Sequence, residues 1–171
     1  MEKATHLFGR QFMYHRIVAA KLRKAFADIN AGNWQSMVDT LAPDFTYVFY
    51  GEHALSGERH TVEAMSLWWQ RVFRLIPDAG FEPLEIIISG GPWMTKVATR
   101  VRIGGPLPDG TRYDNIMTQF MHLKWGRITE IHTLEDTVVL QRALDSIAAS
   151  GNAEAHAEPI TDAYARSVRQ G

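Results

Sequence analysis

The run Thr111-Arg112-Tyr113-Asp114-Asn115-Ile116-Met117-Thr118-Gln119-Phe120-Met121-His122-Leu123-Lys124-Trp125-Gly126-Arg127-Ile128-Thr129-Glu130-Ile131-His132-Thr133-Leu134-Glu135 decides the fold. Two segments of period two, Thr111 to Lys124 and Arg127 to Leu134, flank a turn, the pattern of a hairpin with one buried face. A two-residue turn at Trp125-Gly126 requires Trp125 at positive φ, which a bulky side chain resists. A three-residue loop, Lys124-Trp125-Gly126, with Gly126 left-handed and a bulge beside it, is therefore the preferred closure. It sets Gln119 opposite Ile131, Met117 opposite Thr133 and Asn115 opposite Glu135 on the inward face. Phe120 with Glu130 and Thr118 with His132 fall on the reverse face. The two-residue turn instead slips the register by one and brings His132 opposite Gln119, so turn chemistry decides which side chains enter the interior.

Upstream of the hairpin, Leu84 to Ser89 and Trp93 to Ile103 also alternate, and Gly104 to Gly110 supplies turn residues between strands. Phe45 to Tyr50, rich in aromatic and β-branched residues, reads as an earlier strand. Helical spacing dominates before that. Val18, Leu22, Ala25, Phe26 and Ile29 form one apolar stripe, stopped at Asn30-Ala31-Gly32-Asn33. Trp34, Met37, Val38 and Leu41 form a second, short one, ended at Pro43. Val62, Met65, Trp69, Val72, Phe73 and Ile76 form a third, broken at Pro77-Asp78-Ala79-Gly80. Val138 to Ile147 reads as a closing helix. Residues 1–145 thus read as a single domain and 146–171 as a polar, Ala-rich extension. That extension carries one narrow stripe, Ile160, Tyr164 and Val168. It is either disordered or an arm lying against something, a second copy of the chain included.

At 171 residues the chain suits one domain with a real core. Lys plus Arg number 18 against 19 for Asp plus Glu, without the basic excess of a nucleic-acid binder. There is no cysteine, hence no disulfide and no thiolate chemistry. No apolar run approaches the roughly 20 residues that span a bilayer. Met1 to His6 lacks the pattern of a signal peptide, so the expectation is a cytoplasmic protein. His53, His60, His122 and His132 have no metal-ligand spacing, and neither Gly90-Gly91 nor Gly104-Gly105 precedes a helix that would cradle phosphate. The expectation is accordingly no metal and no cofactor.

Several phrases resemble a known family. Ala27-Asp28-Ile29-Asn30-Ala31-Gly32-Asn33-Trp34, Leu41-Ala42-Pro43-Asp44-Phe45, Ser56-Gly57 and Trp125-Gly126-Arg127-Ile128-Thr129-Glu130, with Leu134-Glu135-Asp136-Thr137 after it, are similar to the joints of the nuclear transport factor 2-like superfamily. The resemblance covers about Val18 to Leu144 and is closest to its SnoaL-like and ketosteroid-isomerase-like branches. It implies an α+β cone, three N-terminal helices packed on a strongly curved, mainly antiparallel sheet around an apolar interior that suits a small ligand.

The activities within that superfamily do not carry over as sets. The positions of the ketosteroid isomerase tyrosine, base and oxyanion aspartate are held by Ala25, Phe49 and Gln119. Of the limonene-epoxide hydrolase set, Arg100 and Tyr47 are present. Its two aspartates are replaced by Arg102 and Thr133, and its asparagine by Phe49, so the water it would hold lacks a base. SnoaL-like polyketide cyclases use an acid/base aspartate, and the inward face of the hairpin offers Glu135 as its one carboxylate.

The candidate ligand-contacting set is therefore Tyr47, Phe49, Met65, Trp69, Arg100, Asn115, Met117, Gln119, Ile131, Thr133 and Glu135, with Tyr47, Arg100 and His132 as candidates for catalysis. Arg100 either enters the cone and binds an anion or lies outside, since Val97, Val101 and Ile103 make the more apolar alternating set. Outward Ile116, Thr118 and Phe120 give the convex face apolar area suited to a homodimer. Three readings follow. One is an isomerase, cyclase or dehydratase acting on a hydrophobic, cyclic or aromatic molecule with a carboxylate or enolate. The second is a non-catalytic binder of such a molecule. The third is a protein-interaction module.

Overall fold

The computed structural model describes residues 2–170, and its elements follow the sequence pattern closely. Helix α1 (Glu2–Asn30) buries Val18, Leu22, Phe26 and Ile29 along one stripe and stops where Gly32 takes a φ of 83°. A single turn, α2 (Gln35–Val38), leads into strand β1 (Leu41–Phe49). Leu41 and Pro43 belong to this strand rather than to the second helix. Proline needs no ladder N–H at an irregularity, and the pairing of β1 shifts register between Leu41 and Thr46. A three-residue strand, β2 (Gly57–Arg59), pairs with the end of β1 and was masked in the sequence by its glycine-flanked loop.

Helix α3 (Val62–Leu75) starts at Thr61, whose side chain accepts from the Ala64 N–H at 3.2 Å. It buries Met65, Trp68, Trp69, Val72 and Leu75. Four long strands follow: β3 (Gly80–Gly91), β4 (Met94–Pro106), β5 (Arg112–Lys124) and β6 (Arg127–Glu135). The sheet order is β2-β1-β6-β5-β4-β3, antiparallel except for the β1–β6 pair, which is parallel. Helices packed on one face of this sheet make the α+β architecture expected, with the core between them.

The closing hairpin corrects the expected pairing. Trp125 does adopt positive φ (53°), beside Gly126 at 79°, so the turn has two residues. A bulge between His122 and Leu123 then restores the face. Gln119 pairs with Thr133, Met117 with Glu135 and Phe120 with His132. The residues expected inward are inward, but each faces a partner two positions further along β6.

Helix α4 (Thr137–Ala149), capped by Asp136 at the Val138 and Val139 N–H groups, buries Leu140, Ala143, Leu144 and Ile147. The segment beyond it packs back on the same chain. A 3-10 turn (Ala153–His156) presents Glu154 to Arg71 Nε at 3.1 Å and to Arg74, and α5 (Asp162–Gln170) follows. Asp162 accepts from the backbone N–H groups of His60 (3.0 Å) and Thr61 (3.1 Å) and from the Thr61 hydroxyl (2.9 Å). Ala155, Ile160 and Ala165 of this C-terminal arm are buried. No helix among the described residues is long and apolar enough to cross a membrane.

Candidate active site

Inward alternation on β1, β5 and β6, facing α1 and α3, leaves an apolar cavity closed at one side by Leu140 of α4. Its volume is about 40 Å³. The interior is narrow, and the flexible side chains of Met37, Met65, Met117 and Met121 line it.

Of the candidates from the sequence, Tyr47, Phe49, Met65, Trp69, Met117, Gln119, Ile131 and Glu135 line this cavity together. Thr133 and Asn115 are buried beside it. Arg100 and His132 are not part of it. Arg100 projects from the outer face toward Glu85 (3.6 Å), because β4 keeps Val97, Val101 and Ile103 for the core. His132 is also on the outer face, where Nδ1 meets the Tyr50 hydroxyl (2.8 Å) and Nε2 meets Glu130 (2.6 Å). The bulge near His122 puts it there by cancelling the slip that the two-residue turn introduces. Neither can act on a guest in the cone.

Glu135 is the acidic group that remains. It ends β6, and its carboxylate accepts hydrogen bonds from the Tyr113 hydroxyl and from Asn115 Nδ2 (3.2 Å). Asn115 also donates to the Tyr113 oxygen (3.1 Å) and the Asp136 carbonyl (3.0 Å), which fixes its amide. Burial pushes the Glu135 carboxyl up from 4.5 to about 7, against the opposing pull of those two donors. Burial, with the Glu135 charge beside it, drives the Tyr113 phenol upward as well. Tyr113 was missed from the sequence although it shares the face of Asn115, Met117 and Gln119; the period-two pattern extended one step further would have found it.

Tyr47 lines the cavity from β1, the strand paired with that of Glu135. Burial lifts its phenol to about 12, offset in part by a hydrogen bond with the Thr133 side chain and by the nearby Arg59 charge. Arg59 is fully buried and lies over the rings of Tyr47 (5.6 Å) and Trp68 (5.3 Å). Its guanidinium donates to the carbonyls of Leu55, Ser56 and Gly57. Burial lowers it to about 10, so it stays a cation at neutral pH. The site thus sets a carboxyl that changes charge near neutrality against an apolar wall with a phenol and a buried cation behind it.

Residues 22–131 match the model of the SnoaL-like domain. The chain belongs to the SnoaL-like domain family. Solved structures agree on the fold of this SnoaL-like protein. IdmH from Streptomyces antibioticus, a candidate polyketide cyclase, is 20% identical with a TM-score of 0.61, covering 77% of this chain and 98% of its own. Bal32a, from a soil-derived mobile gene cassette, is 17% identical with a TM-score of 0.62, covering 76% and 95%. TerC, co-crystallized with polyporic acid, is 15% identical with a TM-score of 0.61, covering 75% and 98%. No curated protein matches the chain.

Proposed function

We propose that this SnoaL-like protein is a cofactor-independent enzyme that moves a proton on a small hydrophobic, cyclic or aromatic substrate held in the cone, with Glu135 as the acid/base. The observation that carries this reading is one carboxyl, in a cavity lined mainly by apolar side chains, held by Tyr113 and Asn115 and poised to change charge near pH 7. As a carboxylate, Glu135 takes the proton from a carbon next to a substrate carbonyl, and the electron pair moves onto that oxygen as an enolate. In isomerisation the neutral carboxylic acid returns the proton to another carbon of the enolate. In ring closure the enolate carbon attacks a second carbonyl of the substrate, whose π pair moves onto its oxygen, and the acid protonates that alkoxide. Either path ends with Glu135 as it began. The phenol of Tyr47 and the field of Arg59 favour the negative charge that develops between these steps. The kinship with a candidate polyketide cyclase and the apolar lining both support a polyketide-like or similar cyclic substrate.

The test uses nitrobenzisoxazole, an aromatic carbon acid whose ring opens when a buried base removes its proton. The wild-type protein should open it with a rate that rises through an apparent pKa near 7, and Glu135→Gln should reduce that rate about a hundredfold or more. A variant as active as wild type removes Glu135 from the chemistry.

A second reading concerns the outer face, where Ile116, Phe120 and Leu134 are 38%, 53% and 42% exposed. We propose that this face joins two copies of the chain. Light scattering at micromolar concentration should give twice the chain mass, and Phe120→Asp should return the monomer.

A further inference from the structure

Four buried side-chain atoms have no hydrogen-bond partner within the described protein: Trp69 Nε1, Gln119 Oε1, Thr99 Oγ1 and Arg59 Nε. Three of them gather around the cavity. Trp69 lines it from α3 and Gln119 from β5, while Thr99 is the cross-strand partner of Gln119 on the inward side of β4. All three residues are more than nine-tenths buried, at 6%, 8% and 2% exposed.

Their chemistry is asymmetric. The Trp69 indole can only donate. Gln119 Nε2 donates one of its two hydrogens to Thr133 Oγ1 (3.1 Å), its carbonyl oxygen has no donor, and Thr99 is its cross-strand neighbour. A buried donor or acceptor without a partner is a standing cost to the fold, and mutating it to an apolar group of similar shape would relieve that cost. The cavity is therefore lined by a residue with an unpaired donor on its helical wall and by one with an unpaired acceptor on its sheet wall.

We infer that Trp69 and the Gln119–Thr99 pair form a two-point recognition site for an apolar ring compound with an acceptor oxygen at one end and a hydroxyl at the other. The Trp69 N–H takes a ketone or quinone oxygen, and Gln119 Oε1 takes the hydroxyl hydrogen. This deepens the reading of the cone as a substrate site and rests on it, but needs no proton transfer by Glu135. It also gives the pocket a direction: the carbonyl lies under α3 and the hydroxyl lies against β4 and β5. A hydrocarbon of the same shape fills the same space and leaves both walls unpaired, so it is discriminated against.

The experiment is a calorimetric titration of the full chain with four bicyclic probes: indane, indanone, indanol with its hydroxyl on the aromatic ring, and hydroxyindanone carrying the two groups at opposite ends. Hydroxyindanone should bind tightest and indane weakest, each polar group contributing about three- to tenfold. Trp69→Phe should erase the gain from the ketone and keep that from the hydroxyl. Gln119→Leu combined with Thr99→Val should do the reverse. Thr99→Val alone is nearly isosteric and should leave the melting temperature unchanged or higher. Four probes of equal affinity, or none that binds up to its solubility, overturn the inference, as does loss of both gains together in either variant. Enolisation of the two ketone probes at Glu135 would return the same compound, so the titration reads binding alone, and Glu135→Gln should show the same ranking of the four probes. Failure of the acid/base reading would therefore appear as intact discrimination without ring opening of nitrobenzisoxazole.

Discussion

Replacing Glu135 with glutamine removes one charge from the cone and almost nothing else. The amide still offers an oxygen to Tyr113 and Asn115. In the unfolded chain Glu135 titrates near its ordinary 4.5; in the fold it titrates near 7. A carboxyl raised in the fold holds its proton there after the unfolded chain has lost it, so its contribution to stability is full below 4.5 and is lost as pH rises through about 7. At about 1.4 kcal/mol per pH unit that interval is worth about 3 kcal/mol. In a chain of this size that corresponds to roughly 6–12 °C in melting temperature. Urea unfolding of wild type and Glu135→Gln, at steps from pH 4 to pH 8, reads the difference directly, because every other titrating group is common to both. Wild type should lose about 3 kcal/mol relative to the variant across that range and lose no more above it. Two parallel profiles would mean that the carboxyl is solvated in the fold, and the argument for Glu135 as the acid/base would go with it.

Trp125→Asn should stabilise the hairpin by about 1 kcal/mol in urea. The position is held at a φ of 53°, which asparagine tolerates, and the indole is exposed. Glu154→Ala strips the carboxylate from Arg71, which is 1% exposed, and should cost about 3 kcal/mol of unfolding free energy; a loss below about 0.5 would mean that the Ala54 and Glu158 carbonyls suffice. Asp162→Ala should free α5, so that trypsin trims the chain at Arg166 and Arg169 while the rest survives. Asp162 is held below its ordinary 3.8, so its hold on the arm is present above that value and lost as pH falls through the depressed one. Its partner His60 is raised, so that part is present below the ordinary 6.5 and fades as pH rises through the raised value.

The elements were legible because apolar periodicity reports burial, and burial is what the fold requires of Phe26, Trp69, Val101 or Met117. The hairpin shows where that signal stops. Period two assigns faces but not partners, and a costly φ at Trp125 combined with a bulge gave the same faces with different neighbours. Glu135 was legible as the lone inward carboxylate of the hairpin. Its raised pKa was not, since that depends on burial by elements distant in sequence, which outweighs the hydrogen bonds from Tyr113 and Asn115. Arg59 gave no signal at all. A cation in a three-residue strand reads as surface until the rings of Tyr47 and Trp68 are seen to cover it. Arg100 carried the opposite lesson: the sequence left its face open and kept it as a candidate, and of the two alternatives the strand follows its apolar set and puts Arg100 outside.

The parallel seam between β1 and β6 governs the order in which this protein is made. Tyr47 of β1 pairs with Ile131 of β6, 84 positions later. While the ribosome is still producing α3, β3 and β4, one edge of β1 has only the short β2 beside it on its other flank. The β3–β4–β5–β6 meander closes through neighbours in sequence and can assemble quickly; the seam must wait for β6 and bears the loop-closure cost of everything between. Tyr47, Phe49 and Ile131 meet only when it forms, so the cavity is incomplete until β6, and Leu140 of α4 after it, are in place. A nascent chain arrested before Arg127 presents an unpaired, aromatic-rich strand edge, the point at which a chaperone or another copy would engage it.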